Sequence, residues 1–321
     1  WGVSTTFAFW PACVKAIRVM SDKDSQGKAY GFFEGMQSVA GAVTSLVAVG
    51  IFNWGTSGVG NDVLAMKFVI LFYSFVNIAM GIVAIFTVED DKIVLEGEKV
   101  SFKGISKVFK NPAVWIICLV SFCNHVFCLS IYYYIPYVTD ILGAAVAFGA
   151  MMGVLRKFGS IGGNIVGGYL ADKFGTGKLM LLAYTVMLAG QIAIFFVPIG
   201  AAGAVVVTIL FITILIFFHM NYAMAWTMMS EGAVPVEYCG TAAGLICTAG
   251  AIPETFISIL AGSLIDNHPG ITGYRYFFLF LTVVITMGLV LILIWKTHLK
   301  HAKIDKSQMD EKAMEELKQY V

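Results

Sequence analysis

Arg156 and Lys157 stand side by side in MMGVLRKFGSIGG, residues 151–163, inside a long apolar stretch with no other charge, and Glu254 follows Pro253 in a second such stretch. An ionised side chain at bilayer depth costs roughly 2.5 to 3.5 kcal/mol on an insertion scale, so it faces a cavity or a partner rather than lipid. A guanidinium presents a planar fork of donors that fits carboxylate, phosphate or sulfonate. Arg156 is therefore the leading candidate for binding an anion. Lys157 either shares that task or packs against a neighbouring helix with its ammonium reaching for the interface. Glu254 is a candidate for proton coupling, or for a permanent ion pair with one of the two cations.

Helical periodicity, about 100° per residue, sorts the neighbours of these charges. Gly149, Gly153, Lys157, Ser160, Asn164 and Gly167 fall on one face, and Met151, Val154, Leu155, Phe158, Ile165 and Tyr169 on the other. Arg156 and Lys157 mark the two edges of the small, polar face, which makes Asn164 a further ligand candidate. Gly159, Gly163 and Gly167, four apart, also permit close helix contact with no ligand involved. Glu254 shares a face with Cys247, Thr248, Gly250, Ala251, Thr255, Ser258 and Gly262, and Pro253 should loosen the helix there. Ser121, His125, Cys128 and Tyr132 share a third face, followed by Tyr133 and Tyr134. His125 reads either as a ligand or as a hydrogen-bonded packing residue. Tyr132 and Tyr133 read as hydroxyl donors or as part of an interfacial aromatic belt. On a fourth segment Glu34, a second candidate for coupling or a salt bridge, aligns with Tyr30, Gln37, Ser38 and Gly41, and Gln37 is a further substrate-binding candidate.

Other chemistries lack their residues. No second His or carboxylate lies at metal-ligand spacing, so no metal is expected. GTGK at 175–178 is followed by Leu179 and fails the phosphate-loop pattern, and GSIGGNIVGG has no preceding strand. With no nucleophile beside a base and no nucleotide loop, neither an enzyme, a cofactor nor a nucleic-acid partner is expected.

These residues need a membrane to position them. The 321 residues are 59% hydrophobic and 13% charged, with a mean hydropathy of +0.83, beyond what a water-soluble core requires. Crossing ~30 Å of hydrocarbon takes about 20 apolar residues. Nine stretches qualify: 1–20, 29–54, 64–88, 113–142, 145–171, 179–198, 201–229, 241–265 and 273–296. All of the 21 Lys and Arg except Lys67, Arg275, Arg156 and Lys157 fall in alternate connections or in the tail. By the positive-inside rule those connections and the carboxyl terminus are cytoplasmic. The six cysteines form no C-x-x-C pair and read as small apolar filler.

The chain opens at Trp1 inside a half-length apolar segment, so earlier helices are expected to be missing. Residues 89–111 are polar and read as a cytoplasmic linker, and residues 298–321 as a solvated helical tail. GKAYG at 27–31 and GTAAG at 240–244 share G-x-A-x-G, and each opens a span after a cytoplasmic connection. Six spans separate their starts, as parallel six-helix halves would require.

GGYLADKFGTGK, residues 167–178, resembles the cytoplasmic loop signature of the major facilitator superfamily at Gly168, Leu170, Ala171, Asp172, Lys173, Gly175 and Lys178. WPACVKAIRVMSDKDSQG (10–27) and EYCGTAAG resemble its organophosphate:phosphate antiporter branch. EGAVP, GTAAG and PETF together are similar to poorly characterised bacterial permeases related to that branch. The resemblance implies an all-α integral membrane protein of two pseudo-symmetric six-helix bundles, seen here as helices four to twelve. Residues 1–88 would be the last three helices of the first bundle, 89–111 the linker, and 112–297 the second bundle. It also implies a bacterial inner-membrane location. Two positions depart from the branch: Gln37 stands where a site His is expected, and Cys128 where a site Arg is expected.

The expected function is secondary transport of a small organic anion by alternating access, with protons or a counter-anion such as phosphate as the coupling partner. The expected protein is a monomer in the lipid bilayer. A ligand sensor with a carrier fold and a carrier of neutral sugars are the alternatives.

Overall fold

A computed structural model describes residues 9–22, 25–59, 62–87, 102–232, 234 and 238–318. Every regular element among them is helical, with no strand. The longer ones are α1 (Trp10–Met20), α2 (Gln26–Val59), α3 (Asp62–Thr87), α4 (Phe102–Lys110), α5 (Pro112–Ser130), α6 (Val146–Phe174), α7 (Thr176–Ile194), α8 (Ala201–Met224), α9 (Cys239–Ala251), α10 (Ile257–Asn267) and α11 (Ile271–Lys318), with short 3-10, α and π turns between them.

Among the described residues, seven helical segments are long and apolar enough to cross a membrane: Gln26–Gly58, Val63–Phe86, Pro112–Ile141, Thr176–Ile194, Ala201–Met224, Cys239–Asn267 and Ile271–Lys300. These match seven of the nine expected stretches. The first expected span is described only from Phe9, and its helix α1 has 11 residues. The fifth forms α6, whose 29 residues give it the length, but Arg156, Lys157, Ser160 and Asn164 lie within it. The expected linker falls outside the described residues as far as 101, and its remainder forms α4. The expected tail continues α11 as far as Lys318.

Local chemistry sets the helix ends. Pro112 occupies the first turn of α5, and the Asn111 side chain accepts the Ala113 N–H at 3.0 Å, which satisfies an otherwise orphaned donor. Gly175 ends α6 at φ +89°, where a side chain would be strained, and its N–H bonds to Ala171 O at 2.7 Å. Proline has no N–H to offer an α-helical ladder. At Pro253 the span breaks into a 3-10 turn, Ile252–Thr255, before α10 resumes.

Two compact units emerge, one comprising residues up to Gly35 and from Val100 onward, the other Met36–Lys99. In the first, α8 packs against α6 and α7, α5 against α9 and α11, α11 against α7, and α9 against α1. Aromatic side chains fill the core between them, among them Phe127, Phe211, Phe218, Phe278 and Trp295. Tyr184 on α7 donates to Asn124 on α5 at 2.7 Å. Tyr134 donates to Gln191, whose amide reaches Phe278 O at 3.4 Å. In the second unit Leu46, Trp54, Leu71, Phe75 and Phe86 are exposed, as side chains solvated by lipid would be.

The glycine stripe of α6 meets α8. A Cβ added at Gly159 would lie 2.9 Å from the Leu215 side chain, at Gly163 2.6 Å from Ile216 O, and at Gly167 2.9 Å from Met220 Cα. Only hydrogen side chains allow the two backbones so close. Of the face that periodicity marks as small and polar, Gly167 is thus taken up by α8.

Candidate functional site

Within the first unit α1, α5 and α9, with the end of α8, enclose a cavity of about 110 Å³. Trp10, Tyr222 and Trp226 form its aromatic wall, and Ser121, Asn124, His125, Cys247 and Glu254 supply polar atoms. Gly250 keeps it open, because a Cβ there would sit 2.9 Å from Ser121 Oγ and 3.8 Å from His125 Nδ1.

His125 Nε2 lies 3.1 Å from Glu254 Oε1. The bond ties α5 to the 3-10 turn in the broken span, across 129 residues of sequence. Glu254 keeps 60% of its side chain exposed, and His125 23%. A carboxylate with one imidazole partner and an open face can exchange that partner for another donor. Periodicity alone pairs Glu254 with Arg156 or Lys157; in the structure its partner is His125.

The aromatic wall has its own support. Trp10 and Trp226 stack at 6.3 Å with planes 14° apart, and Trp226 hydrogen-bonds to the carboxylate of Glu34, which is only 4% exposed. Glu34 thus stands behind the cavity and fixes one of its walls. Asn124 accepts from Tyr184, and its amide nitrogen has no partner among the described residues.

Arg156 is half-buried on α6 and places its guanidinium 4.4 Å from the centroid of the Tyr132 ring, on the 3-10 turn that follows α5. Among the described residues no carboxylate lies within ion-pair distance of it or of Lys157, which is also half-buried.

Other candidates lie elsewhere. Tyr133 packs on Phe277 at 4.9 Å between centroids. Asn164 is buried where α6 meets the start of α2, its backbone carbonyl facing Gly31. Gln37 is exposed and belongs to the second unit. The loop signature clasps a helix end: Asp172 accepts from Gly27 N at 2.8 Å and Lys28 N at 2.9 Å, in the first turn of α2. Gly27 and Gly31 lie against Gly168, where any Cβ would meet backbone. Lys28 lies over Tyr169 at 5.5 Å, and Lys173 is exposed over Phe174 at 5.4 Å. Among the described residues, no group of His, Cys, Asp and Glu could hold a metal ion.

Trp10, Trp226 and Asn124 are wall residues that the chemistry-bearing motifs do not single out. The available signal is spacing: Tyr222 and Trp226, four apart, share a helical face near the end of an apolar span.

A sequence profile described as Major Facilitator Superfamily matches residues 5–256. Two proteins of Escherichia coli (strain K12) are similar over most of the chain. Inner membrane protein YihN is 28% identical over 300 residues, covering 86% of this chain and 67% of that protein. Inner membrane protein YqcE is 25% identical over 302 residues, covering 90% and 69%. Among solved structures, FucP in the outward conformation superposes with a TM-score of 0.70 at 13% identity, covering 89% of this chain and 72% of that one. The proton:xylose symporter XylE does so with a TM-score of 0.59 at 16% identity, covering 88% and 66%. At these identities the likeness to solved structures is one of fold.

Proposed function

Because the chain belongs to the major facilitator superfamily, we propose that it is a secondary carrier that moves a small organic anion across the bacterial inner membrane by alternating access. The observation that carries the reading is Arg156: a half-buried guanidinium on a membrane helix, resting on the Tyr132 ring with no carboxylate in ion-pair range among the described residues. Such a cation is stabilised by an incoming carboxylate, sulfonate or phosphate oxygen. Lys157 adds positive potential beside it. The position at which the organophosphate branch implies an arginine is Cys128 here. Phosphate esters are therefore one class among several candidate anions.

Glu254 is the proposed coupling group, either as a proton carrier or through exchange against a counter-anion. Residues 1–88 and 112–297 are read as parts of two bundles joined by the 89–111 linker, in a monomer with a cytoplasmic carboxyl terminus. Counterflow of labelled organic anions in proteoliposomes tests this. Saturable exchange in the parent protein should fall at least tenfold in Arg156→Gln, about 1.4 kcal/mol. Unchanged exchange in the variant would remove Arg156 from the site.

A second reading is a carrier of neutral sugars. The stacked Trp10 and Trp226 favour it, since indole faces suit sugar rings, and relatives of the same fold are described as fucose and xylose symporters. Competition by neutral sugars, undiminished in Arg156→Gln, would select it.

A further inference from the structure

The Glu254 end of the cavity is the wrong shape and charge for an anion. Its walls are electron-rich, made by the stacked rings of Trp10 and Trp226 and by Tyr222. Its one carboxylate keeps 60% of its side chain exposed and, among the described residues, is met by a single imidazole. Aromatic faces around a carboxylate attract an ammonium group by cation–π and Coulomb terms together. A neutral ring would leave that carboxylate desolvated without a counter-charge.

The other pole stands on the same helical run. His125, holding Glu254, lies on α5, and Tyr132, carrying Arg156, lies on the 3-10 turn Ile131–Tyr133 that continues it. Seven residues separate the two anchors, about 10 Å at ~1.5 Å of helix rise each. One helical run thus anchors a negative pole and a positive pole about two turns apart.

We infer that the cavity is the cation subsite of a zwitterion carrier: Glu254 and the indole wall receive a substituted ammonium group while Arg156 holds the carboxylate at the far end of the same substrate. This rests on the anion reading of Arg156 and narrows it. His125 then acts as a placeholder, occupying Glu254 until the ammonium displaces it.

The test is quenching of tryptophan fluorescence in the purified full-length carrier, titrated with tetramethylammonium, acetate, xylose and γ-butyrobetaine. Tetramethylammonium should quench where xylose does not, and γ-butyrobetaine should bind at least tenfold tighter than tetramethylammonium or acetate. Glu254→Gln should weaken tetramethylammonium and γ-butyrobetaine at least tenfold and leave acetate unchanged. His125→Gln should act in the opposite direction and tighten tetramethylammonium, which a merely misfolded variant would not do. Acetate binding with no response to tetramethylammonium would overturn the cation subsite and leave the anion reading intact. Quenching by tetramethylammonium that survives Glu254→Gln would also overturn it, as would xylose matching tetramethylammonium. Tetramethylammonium binding with no acetate binding would overturn the anion reading, and the zwitterion with it.

Discussion

Asp172 and Glu254 are both carboxylates on membrane helices, and the structure uses them in opposite ways. Asp172 accepts from two backbone amides, at 2.8 and 2.9 Å, on a helix end that cannot rotate away. The glycines on either side leave no space for the contact to relax. Glu254 has one side-chain partner at 3.1 Å, an open face and a broken helix beneath it. A carboxylate whose lone pairs are filled by fixed donors is a structural part. One whose partner is a single rotatable, ionisable ring is available for a ligand.

Substitutions can break this contrast, and the largest effect should come from the clasp. A Cβ at Gly31 would fall 2.5 Å from Asn164 O and 2.8 Å from Gly168 Cα, both backbone atoms. Gly31→Val should therefore cost at least the roughly 1–3 kcal/mol typical of overpacking, read as a lowered unfolding temperature in detergent. Asp172→Asn follows, because it keeps the shape but removes the charge from two hydrogen bonds, each worth roughly 1.5–3 kcal/mol when charge-assisted. A clear drop in thermal stability with anion affinity unchanged is the expected result; unaltered stability would mean that the clasp is ornamental.

Glu254→Gln should behave the other way round. The exposed pair with His125 is worth only about 0.2–1 kcal/mol, so the unfolding temperature should hardly move while coupled transport falls by tenfold or more. A large loss of stability would place Glu254 with Asp172 as a structural group. The smallest effect should come from the second copy of the G-x-A-x-G repeat. A Cβ at Gly240 has nothing within 4 Å, so Gly240→Ala should stay within about 0.5 kcal/mol, whereas Gly27→Ala, at the matching place in the first copy, meets Gly168 O and Asp172 and should destabilise measurably.

That last pair shows what one sequence discloses and what it withholds. Apolar length and Lys placement make the membrane spans readable, and the loop signature makes the superfamily readable, because both are local patterns. The repeat is visible in GKAYG and GTAAG, yet only the first copy lies in tight backbone contact, since closeness depends on what packs opposite. The same limit governs the site. Periodicity gathers His125 with Tyr132 on one helix and Glu254 with Cys247 on another. It carries no information on which face of α5 meets which face of α9, so the pair across 129 residues is illegible. Trp226 is hidden for the same reason: its partners Trp10 and Glu34 come from α1 and α2. Pro253, a local signal, marks the break in its span directly.

The Asp172 clasp also has a place in time. Its two bonds join residues 145 and 144 positions apart, so α2 enters the membrane long before α6 has been made. Until then the first amides of α2 must find water or lipid headgroups. Contacts of such sequence separation close late in folding. The signature loop is thus among the final stitches of assembly, and its closure reports that the helices between have already taken their places.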